Sequence, residues 1–183
     1  MRPIVGYPFR LANCKRYPDG ALTALHMFVF KNRKNTTYIV NVEEYQHHVF
    51  IVKFHTKQKS YSKDKYNKLT NEKDARKIIY TCIDIGLDVY KKYPLASFGF
   101  IGSPLPKEME RDNELDNTKR FKVYRKFAAF FFSPDNFDHS TNSGFSSYLL
   151  YNKKHLDQRP TLREDVMSMF DNHFDMDELL GRN

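Results

Sequence analysis

Hydrophobic and polar positions are patterned most clearly between residues 25 and 54. Three short runs there, LHMFVF (25–30), TYIVNV (37–42) and HHVFIVKF (47–54), are dominated by aromatic and β-branched residues and contain no proline. Such runs read as strands, and the polar stretches KNRKNT and EEYQ between them predict an antiparallel meander. The period then changes. Ala75, Ile78, Ile79, Cys82, Ile83, Gly86, Val89 and Tyr90 recur at spacings of three and four, which predicts a helix over 71–93 with one buried face. Thr70 or Asn71 can cap it, Glu72 and Asp74 suit its first turn, and Pro94 stops it. ASFGFIG (96–102) follows directly, and a short apolar run after a helix predicts a strand paired parallel in the sheet.

Residues 103–116 read as a charged loop with two prolines, and a loop of that length is either mobile or functional. A second helix is predicted from Asp116 or Asn117 onward, with Phe121, Tyr124, Phe127, Ala128 and Phe131 on its apolar side. Lys119, Lys122 and Lys126 form a stripe on another side, with Arg125 beside it. SPDNF ends that helix, GFSSYLLYN (144–152) reads as a last core strand, and 161–174 as a terminal amphipathic helix with a Thr161/Glu164 capping box. The sum is a single α+β domain, a mixed sheet with helices packed on it. Residues 1–24 read as an N-terminal arm, 25–155 as the domain, and 156–183 as a C-terminal helix and acidic tail.

A length of 183 residues with 40% hydrophobic content suits one domain with a real core. No apolar run has the roughly 18 residues of a membrane span, and the first residues lack a signal-peptide stretch, so a soluble, cytoplasmic protein is expected. Cys14 and Cys82 are too few for a disulfide framework and have no metal-type spacing, so reduced thiols are expected, Cys82 as a buried one on the first helix. His47, His48 and His55 read as strand residues rather than as a metal site, and the adjacent Glu43 and Glu44 as residues on opposite faces.

Charge adds the main functional signal. The chain carries a formal +8, and from Lys53 to Lys77 nine basic residues face only three acids. Lys57, Lys59, Lys63 and Lys65, with Tyr61 and Tyr66 set among them, have the basic and aromatic character of a single-strand nucleic-acid surface. A solubilising loop has the same composition. With Lys119, Lys122, Arg125 and Lys126 these residues are the candidate binding set, and no residue group suggests a metal.

One resemblance reaches residue level. Asn117, Arg120, Val123-Tyr124, Lys126 and Phe127 follow the pattern of a helix in the GNAT (Gcn5-related N-acetyltransferase) superfamily, with Arg120 where a small residue is usual. The order of elements also resembles that superfamily's central part, and Ile101-Gly102-Ser103 resembles a strand end in small bacterial members lacking the pyrophosphate loop. The resemblance implies Tyr124 near the thiol of acetyl-CoA, as an acid, and Asn117 near the pantetheine arm. GNAT enzymes hold the pyrophosphate on a Gly-rich turn, because backbone N–H groups must reach phosphate oxygens unobstructed. Residues 57–77, at the corresponding place, contain no glycine. The expectation is therefore a non-catalytic GNAT-like binding or regulatory module with no cofactor, contacting an acidic protein or single-stranded nucleic acid. An atypical acyltransferase using CoA is the alternative, and a toxin-like or phage-conflict component is the third.

Overall fold

The computed structural model describes residues 6–62, 74–101, 119–142 and 147–173. Three long strands make the centre of its sheet: β2 (Leu22–Lys31), β3 (Thr37–Tyr45) and β4 (Val49–Thr56). They pair antiparallel in succession, as the apolar runs and the polar turns between them predict. The helix α1 (Ala75–Lys92) then crosses over to β5 (Ser97–Ile101), which pairs parallel with β4. After α2 (Lys119–Phe131) come β6 (Phe137–Asn142) and β7 (Ser147–Asn152), and β7 inserts between β5 and β6. The molecule is α+β, with one mixed sheet of seven strands in the order β1-β2-β3-β4-β5-β7-β6.

Two strands stand where the sequence pattern suggests none. Within the expected N-terminal arm, Phe9–Arg16 forms β1, paired antiparallel with β2 at one edge. At the other edge β6 occupies polar residues between the expected end of α2 and the last strand. An edge strand of this kind buries little: every residue of β1 after Phe9 is exposed, so no hydrophobic alternation marks it. His47 and His48 are a further difference. They lie in the tight turn Gln46–His48 with φ of 60° and 53°, in the left-handed region, and β4 begins only at Val49.

The sheet is covered on both faces. One face packs Phe28, Val40, Phe50 and Phe98 against Ile78, Ile85 and Val89 of α1 and Ala128 of α2, with Phe132 just beyond the helix end. The other face packs Val49, Ile51 and Tyr151 against Leu162, Val166 and Met169 of α4 (Leu162–His173). Between β7 and α4, the short helix α3 (Lys153–Gln158) is capped by Asn152, whose Oδ1 accepts from the Lys154 and His155 amides at 3.0 and 3.4 Å. The same buried side chain donates through Nδ2 to the Pro94 and Ala96 carbonyls, tying α3 to the end of α1. Thr161 donates its hydroxyl to Asp165, where a capping box would pair it with Glu164.

The phase of both main helices differs slightly from the pattern. α1 buries Thr81 and Ile85, while Ala75 is exposed. On the α2 side Ala128 and Phe132 are buried, and Phe127 and Phe131 are half-buried against Tyr80. Asp74 sits at the N-cap rather than in the first turn, and its carboxylate accepts from the Tyr7 hydroxyl at 2.8 Å. Tyr7 belongs to a segment laid along α1, where its amide donates to Thr81 Oγ1 at 2.8 Å. Only glycine fits before it: a Cβ on Gly6 would stand 2.5 Å from Asp84 Oδ2 and 2.9 Å from Thr81 Cα.

Candidate functional site

Parallel pairing of β4 and β5 lasts for three residue pairs, from Val49–Ser97 to Ile51–Gly99. Beyond them lies a crevice lined by Val52 and Phe54 of β4, Phe100 of β5, and apolar side chains of α1, α2 and Phe132. Phe54, Phe100, Phe127 and Phe132 fill it, leaving about 20 Å³, space for roughly one water. Cys82 also lines it, and burial pushes its thiol well above the usual thiol range, which keeps it protonated and inert.

Of the residues expected to bind or react, those described either follow β4 or lie on α2. Lys57 and Lys59 form a single 3-10 turn directly after β4, and Tyr61 just beyond it is fully exposed at 102%. Lys122, Arg125 and Lys126 are exposed on α2, in line with the predicted stripe. Lys119 and Tyr124 lie on α2 as well. Lys63, Lys65, Tyr66 and Asn117 fall outside the described residues, as does the 103–116 loop. A feature the pattern did not single out is Phe130, exposed at 78% in a helix otherwise used to bury phenylalanines. Lys122, Lys126 and Phe130 recur at intervals of four and share one outward stripe.

A second group lies on the same sheet face, toward the opposite edge. Glu43 and Glu44 do point to opposite faces: Glu43 pairs with Lys53 at 2.8 Å, and Glu44 Oε2 accepts from His26 Nε2 at 2.8 Å. His26 in turn holds its Nδ1 3.5 Å from the Cys14 sulfur. His26 is buried, with the Phe50 and Tyr93 rings 6.4 and 6.1 Å from its own, whereas Cys14 is exposed. Sequence spacing conceals this group, because its members are 12 and 18 residues apart on three different strands.

Near the β3–β4 turn, His155 is buried and its Nδ1 has no hydrogen-bond partner. Burial first, and then the neighbouring His48 and Arg159 charges, lower its pKa; His47 is lowered by burial and Arg159. Among the described residues no group of three or more His, Cys, Asp or Glu side chains is placed to hold a metal ion. No helix among them is long and apolar enough to cross a membrane. The chain matches no protein-family model, no curated protein and no solved structure.

Proposed function

We propose that this protein is a GNAT-like module that binds single-stranded nucleic acid through a basic, aromatic-bearing surface. The observation that carries the reading is the exposure of large rings beside lysines. Tyr61 stands fully in solvent after Lys57 and Lys59, and Phe130 continues the Lys122–Lys126 stripe. A merely solubilising face needs lysines but not exposed aromatic rings, whereas a single strand needs both: cations along its backbone and flat apolar surfaces for its bases. The formal +8 acts in the same direction by drawing polyanions toward the molecule.

The GNAT-like part of the reading is supported by the order of elements. Three antiparallel strands lead through the crossover helix α1 to a parallel β5, and α2 leads on to the final antiparallel pair. The packed crevice and the glycine-free 57–77 segment favour a binding role over CoA chemistry.

Fluorescence anisotropy with labelled single-stranded DNA and RNA oligonucleotides tests the proposal. Binding at low salt should weaken with a log–log slope of about −0.7 per phosphate neutralised. Lys122→Glu with Lys126→Glu should weaken binding without unfolding the protein, and Tyr61→Ala should cost about 1–3 kcal/mol of affinity. No anisotropy change at low salt with either oligonucleotide overturns the reading, and leaves an acidic protein as the partner the charge would suit.

A further inference from the structure

Cys14, His26 and Glu44 are brought together by strand register. In β1 and β2, Cys14 lies directly opposite His26. That pairing depends on a bulge: Leu11 faces Phe28, but the register shifts before Asn13, which faces Met27. Without the shift Asn13 would face His26, and Cys14 would project from the other face of the sheet. Glu44, opposite Ala24 on β3, is the diagonal neighbour of His26. Its ionised carboxylate can only accept, so His26 Nε2 carries the proton between them, and in that tautomer the Nδ1 lone pair faces the Cys14 thiol. The thiol and the carboxylate thus meet opposite edges of one imidazole. They do not converge on a common point, as metal ligands must.

We propose that Cys14 is a nucleophile for acyl transfer, with His26 as its base, Glu44 as the residue that positions His26, and an anionic acyl ester as substrate. The arrangement has what such chemistry requires: an accessible sulfur, a base within reach of its proton, and a third group that holds the base in one tautomer. His26 is held on its flanks by Phe50 and Tyr93. The Tyr93 phenol stays protonated, its pKa raised by burial first and next by the Glu44 charge, so a neutral hydroxyl donor borders the site. Arg16, on the same face two residues beyond Cys14, influences the same phenol, and no carboxylate among the described residues pairs with it. Its free charge selects for a negatively charged substrate.

In the first step the Cys14 proton passes to His26 Nδ1 as sulfur attacks the ester carbonyl carbon and the C–S bond forms. The tetrahedral intermediate collapses with cleavage of the C–O bond, and the departing alkoxide takes the proton from His26. Water then attacks the thioester at Cys14 and gives its proton to His26. Release of the carboxylic acid returns the proton to sulfur, so the sum is ester plus water to acid plus alcohol.

The test treats the native chain with p-nitrophenyl acetate and with the anionic mono-p-nitrophenyl succinate. Nitrophenol release is followed together with peptide mass mapping of the adduct. Cys82 does not compete, being buried and protonated. The expected result is one acyl group on Cys14, formed at least about a hundredfold faster than on the free thiol of N-acetylcysteine at the same pH. Cys14→Ala should abolish it, and His26→Gln should slow it by about 10²-fold or more. Glu44→Gln should lower the maximal acylation rate while leaving the half-saturating ester concentration unchanged, as a positioning role requires. The succinate should react faster than the acetate, and Arg16→Ala should remove that preference. Acylation of Cys14 no faster than the free thiol, or unchanged by His26→Gln, overturns the proposal. Equal rates for the two esters overturn the charge selection. Should His26→Gln fail to fold, the wild-type rate against N-acetylcysteine decides the matter.

Discussion

One face of one sheet carries two regions of opposite character. At the β4–β5 divergence, phenylalanines from two strands and from the α2 side meet and leave space for about one water. At the β1–β3 end, a thiol, an imidazole and a carboxylate meet beside Tyr93. The first region is filled with apolar core side chains. The second lies at the edge, where α1 has ended and polar side chains reach solvent on one side and a packed aromatic wall on the other. Apolar packing therefore closes one end of the face, while polar chemistry gathers at the other.

The sharpest way to break the comparison is to make both ends smaller and measure stability. Phe132, buried against Phe98 and Phe137, should cost about 3–5 kcal/mol when changed to alanine, read by urea denaturation. Glu44→Ala should cost less, about 1–3 kcal/mol, because it leaves a buried imidazole N–H unsatisfied without opening a large cavity. A larger loss for Glu44→Ala than for Phe132→Ala would make the polar end the structural one.

Acid supplies a control from the opposite face. The folded pKa values of His155 and His47 are lowered, in both cases chiefly by burial, so the unfolded chain binds protons more readily than the folded one. Their contribution is complete above the unfolded value of about 6.5 and is lost as pH falls through the folded values. Thermal melts from pH 8 downward should show a falling midpoint, and His155→Gln should flatten that fall. An unchanged slope would assign the acid sensitivity to other groups. The smallest effect is expected at the exposed thiol: Cys14→Ala should change stability by no more than about 0.5 kcal/mol, measured by the same melts, while its reactivity with esters disappears.

How much of this was legible beforehand varies with burial. β2, β3, β4, α1 and β5 announce themselves because each buries a regular set of side chains, and even the parallel pairing of β5 follows from its place after a helix. β1 and β6 do not, since both lie at sheet edges and carry mostly polar or exposed residues. Misreading His47 and His48 as strand residues has a related cause. Two consecutive left-handed residues that are not glycine leave no mark in an aromatic and β-branched run.

The amino-acid sequence by itself determined the hydrophobic periods, hence the α+β class, the central meander and the crossover helix, because burial of a repeating face is a local property of the chain. It also set the net charge of +8. Tertiary structure alone decided which aromatics closed the crevice and that Phe130 remained outside. It likewise decided that Cys14, not Asn13, stands opposite His26. That last result depends on a one-residue bulge in an edge strand, and on hydrogen-bonded pairing between strands, which no spacing along the chain encodes.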